Sequence, residues 1–197
     1  MARLLFFYGV VKPFVFAVLG LKVQREHPLP RAGPAILVAN HNSHLDTFVL
    51  LSLFPYRLAK KIRPIANPEY FLKNRVLAWF VLNIVGIIPA NRAMLDGVHA
   101  ALAAGEIVLL FPEGTRGEPE HLAPFQCGIA HIAKSHPEVP ITPVFIRGTG
   151  MALPRGDPVL VPFLCDAQVG ETLLWSGDKA QFMGKLERRF HELGCRR

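Results

Sequence analysis

The sequence predicts a single α/β domain, a mixed sheet flanked by helices, that carries an apolar helix at its N-terminus. Three observations lead there. The chain has 197 residues, within the ~100 to 200 that one domain commonly takes. Prolines number 17, nearly twice the average share of ~5%, and they stand between apolar runs, which favours many short elements over a bundle of long helices. Short apolar runs bounded by Gly or Pro alternate with stretches of helical periodicity, the pattern of a sheet covered by helices.

The elements follow in chain order. Leu4 to Leu21 contains one charge, Lys12, and its length sits at the lower edge of the ~17 to 25 residues that span a bilayer. Lys12-Pro13 interrupts it, so an interfacial or re-entrant membrane helix fits better than a span, with a soluble core helix as the third reading. The stretch offers no convincing small-residue cleavage site, so a removed signal peptide is not expected. Residues 1–21 are therefore read as a membrane-associating segment and residues 22–197 as the folded domain. Buried strands are expected at Ala35 to Ala39, Glu106 to Phe111, Ile141 to Ile146 and Val159 to Leu164. Helices are expected over His44 to Phe54, Asn91 to Gly105 and Phe125 to His136, with Gly105 placed to end the second in a left-handed cap. Asp178 to Leu193 reads as a charged amphipathic helix.

The chain is rich in apolar residues, 51% against 19% charged, and its net charge is +7. That balance excludes a disordered chain and calls for an anionic partner. The Lys and Arg residues fall in small groups with no nucleic-acid motif, so nucleic acid is not the expected partner. The three cysteines, Cys127, Cys165 and Cys195, lie far apart in no ligand or redox spacing, which fits reduced side chains in a reducing cytoplasm. His131 and His136 lack the Cys or carboxylate pattern that would complete a metal site, and one turn of helix explains them; no metal is expected.

Chemistry concentrates in "NHNSHLD", Asn40 to Asp46, between a strand and a helix. Ser43 followed by Asp46 is a capping-box pattern. That explains neither Asn40 nor His41, which fall where a strand end projects polar groups towards a cleft. Histidine exchanges protons near neutral pH, and a nearby carboxylate fixes its tautomer and stabilises the imidazolium as it forms. His41 and Asp46 can thus act as a base and its partner without a nucleophilic side chain. A second loop, "FPEGTRG" from Phe111 to Gly117, ends another apolar run. Its Gly114 permits a tight turn, and the forked cation of Arg116 suits phosphate. The nucleotide-loop pattern G-x-x-x-x-G-K-[ST] is absent, so ATP or GTP chemistry is not indicated.

Taken together, "NHNSHLD", "GIIPANR" (Gly86 to Arg92), "FPEGTRG" and "VPITPV" (Val139 to Val144) resemble, in order and spacing, the four blocks of the glycerolipid acyltransferase family that includes 1-acylglycerol-3-phosphate acyltransferases. The resemblance covers roughly Leu21 to Gly170. It implies an α/β fold and transfer of a fatty acyl group from a thioester, acyl-CoA or an acyl-carrier protein, to the hydroxyl of a lysolipid. No tightly bound cofactor follows from it. His41 matches the catalytic base and Asp46 its acidic partner, while His44 lies inside the motif unmatched. Arg92, Glu113, Gly114, Thr115 and Arg116 match residues that hold the acceptor's glycerol phosphate. Two positions depart from the pattern. Gln126 stands in "FQCG" where a lysine is frequent, and Asn67 stands where another is common, and both bear on the acceptor head group.

An activated thioester needs only a deprotonated acceptor and a stabilised oxyanion, so direct transfer through a ternary complex is expected, with no acyl-enzyme. Three readings follow: a membrane-bound acyltransferase on 1-acylglycerol-3-phosphate or another lysolipid such as a lyso-ornithine lipid, a His-Asp acyl hydrolase, and a non-catalytic lipid-binding relative. The expected location is the cytoplasmic face of the inner membrane, against an anionic surface. Val76 to Ile88, flanked by Lys60, Lys61, Arg63, Lys73 and Arg75, is too short to span a bilayer. It reads as buried core, as a wall for the acyl chain, or as a surface dipping into the membrane.

Overall fold

Ala35–Ala39 is buried at every position, and a strand without an exposed side chain requires partners on both edges and cover on both faces. The computed structural model, which describes residues 5–70, 74–91, 93–119, 121–154 and 159–195, supplies both. A π-helical segment, Leu5–Val11, runs into α1 (Lys12–Ala17). Then follow β1 (Lys22–Arg25), β2 (Ala35–Ala39), α2 (Leu45–Ser52), α3 (Tyr56–Ala59), β3 (Ile62–Ala66) and α4 (Arg75–Phe80), which continues as a π-helical segment, Val81–Val85. The remainder is β4 (Ile88–Pro89), α5 (Met94–Ala103), β5 (Ile107–Leu110), α6 (Gly128–Ser135), β6 (Ile141–Arg147), α7 (Thr149–Ala152), β7 (Asp166–Val169) and α8 (Lys179–Cys195).

The strands form one sheet in the order β1-β7-β6-β2-β5-β3-β4. β2 lies between β5 and β6, parallel to both, and only the β6–β7 pair is antiparallel. Side chains alternate along β2. Ala35, Leu37 and Ala39 join a core with α2 and the N-terminal helix, while Ile36 and Val38 join a second core with α5, α6 and α8. A bidentate pair from Arg63 to Glu106, 2.7 and 2.6 Å, ties β3 to the start of β5.

The strand expected at Val159 to Leu164 is not formed. Val159, Val161, Phe163 and Leu164 are exposed in irregular chain, and Pro162 has no N–H to give a ladder. The strand forms instead at β7, where Ala167 and Val169 are buried. Three short strands escaped sequence reading: β1, β3 and β4.

The N-terminal helix is two-sided. Phe7, Val11, Val15 and Leu19 are buried in the core beside α2, whereas Leu5, Val10 and Phe16 are exposed. Among the described residues no helix is long and apolar enough to cross a membrane. Val76 to Ile88 divides in two. Ile84, Val85, Ile87 and Ile88 are buried, but α4 has no buried residue. Its first turn is held by Asn74, whose Oδ1 accepts from the N–H groups of Val76 and Leu77 at 2.9 and 3.1 Å.

Candidate active site

β2 and β5 are adjacent and parallel, so the loops that leave their C-terminal ends open on the same edge of the sheet. Those loops are Asn40 to His44 and Phe111 to Gly117. Asn40 anchors the first one. Its Nδ2 donates to the Ile146 carbonyl at 2.8 Å and its Oδ1 accepts from the Ile146 N–H at 2.7 Å, extending the β2–β6 ladder with a side-chain amide.

His41 is gripped through its backbone by the second loop. Its N–H donates to Glu113 Oε1 at 2.7 Å, and its carbonyl accepts from the Gly117 N–H at 2.9 Å. The other Glu113 oxygen accepts from the Ala123 N–H at 2.9 Å. Glu113 is only 4% exposed. Burial pushes its carboxyl pKa up, against the two amide bonds and the nearby His41, which favour the ionised form.

Asp46, fully buried in the first turn of α2, gathers three donors on one oxygen. Oδ2 accepts from Asn42 N–H at 2.7 Å and from Ser43 N–H at 2.8 Å, and it meets His41 Nδ1 at 2.8 Å. Since that oxygen is already an acceptor twice over, the imidazole is the donor of the third bond through Nδ1, an arrangement that leaves the lone pair of the neutral ring on Nε2. The imidazole lies flat against Phe111, ring centroids 4.0 Å apart at 15°. The carboxylate therefore fastens the turn ahead of α2 and orients the imidazole with the same atom. Ser43 Oγ accepts from Leu45 N–H at 3.3 Å and donates to the Leu153 carbonyl at 2.9 Å, so its hydroxyl is engaged away from any nucleophilic role.

His41 fronts a cavity of about 570 Å³ whose polar end also holds His44, Thr115, Arg116 and Gln126. Apolar side chains, Phe48, Leu77, Val81, Val85, Ile65 and Met94 among them, make up much of the rest of its lining. The pKa of His44 is lowered by desolvation first and by the charge of Arg116 second, and both residues line the cavity. Gly114, at φ 75°, takes the left-handed turn that lets the loop bring Arg116 to the cavity.

A model of the family described as Acyltransferase matches residues 20–147. The chain belongs to this acyltransferase family. Among curated acyltransferases, a chloroplastic 1-acyl-sn-glycerol-3-phosphate acyltransferase of Brassica napus is 32% identical over 131 residues, covering 62% of this chain and 36% of its own length. The 1-acyl-sn-glycerol-3-phosphate acyltransferase of Limnanthes douglasii is 28% identical over 189 residues, 87% of this chain and 63% of that protein. The chain thus spans only about a third of the length of the first curated relatives it matches, 36% and 34%. The crystal structure of the 1-acyl-sn-glycerophosphate acyltransferase PlsC from Thermotoga maritima matches with a TM-score of 0.77 at 25% identity, over 100% of this chain and 83% of that one. The two chains share a mixed α/β architecture.

The cavity brings together most of the residues singled out in the sequence. His41, Gly114, Thr115 and Arg116 line it, and Asp46 stands behind His41. Glu113 is buried behind the loop and does not line the cavity, its two oxygens engaged by backbone amides. Arg92 lies outside the described residues. Sequence reading missed Phe111 as the plate under the imidazole and Phe48 as a cavity wall. Phe111 could have been found, since it is the residue that leaves β5 into the motif.

Proposed function

We propose that the protein is a membrane-associated O-acyltransferase that moves a fatty acyl group from an acyl thioester to the free hydroxyl of a lysolipid. The leading acceptor is 1-acylglycerol-3-phosphate, giving phosphatidate; acyl-CoA or an acyl-carrier protein is the donor. The observation that carries this reading is one cavity lined by His41, which Asp46 holds, by Arg116 and by apolar side chains. The relatives that share the family and fold are named for this reaction.

His41 Nε2 takes the proton of the acceptor hydroxyl as its oxygen attacks the thioester carbonyl. The tetrahedral intermediate collapses, the carbon–sulfur bond breaks, and the proton held on the imidazole passes to the departing thiolate. Asp46 stabilises the imidazolium between these steps through Nδ1. No acyl-enzyme forms, because the acceptor is the nucleophile. Arg116 pairs with the acceptor phosphate in two-point contact. Glu113 serves as a positioning residue, holding His41 and the Arg116 loop in one unit through backbone amides. The acyl chains occupy the cavity beside Phe48 and Val81. The N-terminal helix, with its exposed Leu5, Val10 and Phe16, associates with the membrane at the cytoplasmic face.

The test is purified protein with a labelled acyl thioester and a panel of lysolipids, products resolved by head group. Transfer to a lysophospholipid without an acyl-protein adduct is expected. Release of free fatty acid in place of a diacyl product would assign a hydrolase.

A further inference from the structure

Helix α4 is built of Arg-Val-Leu-Ala-Trp-Phe, yet none of these residues is buried. Val76 is 77% and Trp79 58% exposed, and Leu82 follows on the same outward side. A contiguous apolar face of this kind marks a surface that something covers. It does not stand alone. Phe6 of the N-terminal helix meets Phe80 edge-on, centroids 4.9 Å apart, and meets Phe48 at 6.3 Å. The exposed Leu5 and Val10 thus belong to the helix beside α4.

Charge selects the occupant. From Leu5 to Arg25 and from Asn74 to Asn91 the sequence contains no Asp or Glu. Lys12 lies over the Tyr8 ring, 5.2 Å from its centroid. Tyr8 packs on Tyr56, which precedes the exposed Arg57. Arg75 opens α4 itself and is exposed. An apolar face edged by cations with no acids among it suits an anionic lipid surface, where chains accept the apolar groups and head groups accept the charges.

We infer that α4 and its π-helical continuation form a second bilayer-docking element beside the N-terminal helix, seated among the lipids of an anionic leaflet. The inner side of the same segment, Leu77, Val81 and Val85, lines the cavity that His41 fronts. One helix therefore separates the bilayer from the catalytic cavity. A lysolipid reaches the base by moving sideways past this wall, its tail remaining in apolar surroundings throughout.

Trp79 is one of two tryptophans, and the other, Trp175, packs on Phe182 in the opposite core. In Trp175→Phe, vesicles of phosphatidylglycerol and phosphatidylcholine should shift the Trp79 emission to the blue, protect it from aqueous acrylamide, and expose it to quenching by lipids brominated in the acyl chain. Subtracting the Trp79→Phe spectrum from that of the unmodified protein gives the same readout if Trp175→Phe does not fold. Trp79→Glu should weaken vesicle binding in flotation at least tenfold while circular dichroism and turnover of a micelle-dispersed acceptor stay unchanged, since Trp79 does not line the cavity. Emission that ignores lipid, or flotation unaffected by Trp79→Glu, overturns the inference. A shift that follows protein concentration in lipid-free buffer means that a second copy covers the face, and overturns it too. Bromolipid quenching in a protein that acylates no lysolipid would retain the docking element and remove the proposed reaction.

Discussion

The loop from Asn40 to Asp46 and the helix from Arg75 to Phe80 solve opposite problems. In the first, one buried carboxylate oxygen collects three donors, a side-chain amide closes the sheet, and two backbone bonds from another loop fix His41. The second leaves Val76 and Trp79 exposed, has no fully buried residue, and is held at its start by one asparagine cap. Chemistry at a proton requires placement to within a fraction of an ångström, so the fold completes that site in the polypeptide. A surface whose other half is lipid has no such need. On the proposed reading, the loop keeps its chemistry when the medium changes, and the helix responds to the medium.

Removing the base should produce the largest effect. His41→Ala should lower kcat by about 10² to 10⁴, with thermal stability nearly unchanged because the ring makes one side-chain bond. Asp46→Asn should lose both activity and stability, since Oδ2 also fastens the turn ahead of α2 by accepting from the Asn42 and Ser43 N–H groups, a role worth about 1 kcal/mol. Activity and melting temperature measured together separate the two. An inactive His44→Ala beside an active His41→Ala would break the assignment.

Next in size is Arg116→Ala. Loss of a charge-assisted pair, ~1.5 to 3 kcal/mol, should raise the acceptor KM by about 10- to 100-fold while the donor KM holds. Arg116→Lys should recover only part, an ammonium being unable to make the planar contact. The same change should harm a phosphate-bearing lysolipid more than a monoacylglycerol. Equal losses on both would make Arg116 a support of the loop.

Glu113→Gln tests the clasp. A carboxamide offers one acceptor oxygen to two N–H donors, from His41 and Ala123, so one amide is left facing its NH₂. The expected result is a kcat about tenfold lower through a displaced His41, with the acceptor KM unchanged. A rise in KM alone would instead place Glu113 on the acceptor.

The smallest effect concerns pH. The pKa of His44 is lowered in the fold, by desolvation first and by Arg116 second. The unfolded chain therefore binds a proton there before the native one does. Stability attributable to His44 is complete above its ordinary value of 6.5 and is lost as pH falls from there through the lowered one. Melting temperatures from pH 8 to 5 should show a shallower acid decline in His44→Gln than in the unmodified protein.

Legibility in the sequence followed burial. β2 and β5 are buried throughout and read as unbroken apolar runs, and β6 shows Val144, Phe145 and Ile146 in a row after Thr142 and Pro143, so all three were expected where they lie. β3 was not, because Arg63 and Pro64 interrupt its pattern even though Ile62 is buried and paired. Lys22–Arg25 is too polar and Ile88–Pro89 too short to signal a strand. The run Val159 to Leu164 misled in the other sense: it is apolar but mostly exposed and joins no strand of the sheet. The dyad was legible because the five-residue step from His41 to Asp46 crosses from the strand end into the first helical turn. The clasp was not, since Glu113 meets partners 72 and 10 positions away, and only the sheet brings them together.

The pairing of β1 sets a clock on biosynthesis. Lys22 to Arg25 form their ladder with Asp166 to Val169, so the N-terminal edge strand has to wait for a partner made some 140 residues later, at roughly 7 to 30 s of translation at ~5 to 20 residues per second. Throughout that interval the apolar helix ahead of β1 has left the ribosome while the strand that fastens its end to the sheet does not yet exist. The inner face with Phe7, Val11 and Val15 can be sheltered early by α2, which is made soon after. The outer face is on offer to a bilayer from the start, so the nascent chain is expected to meet lipid before its sheet is closed.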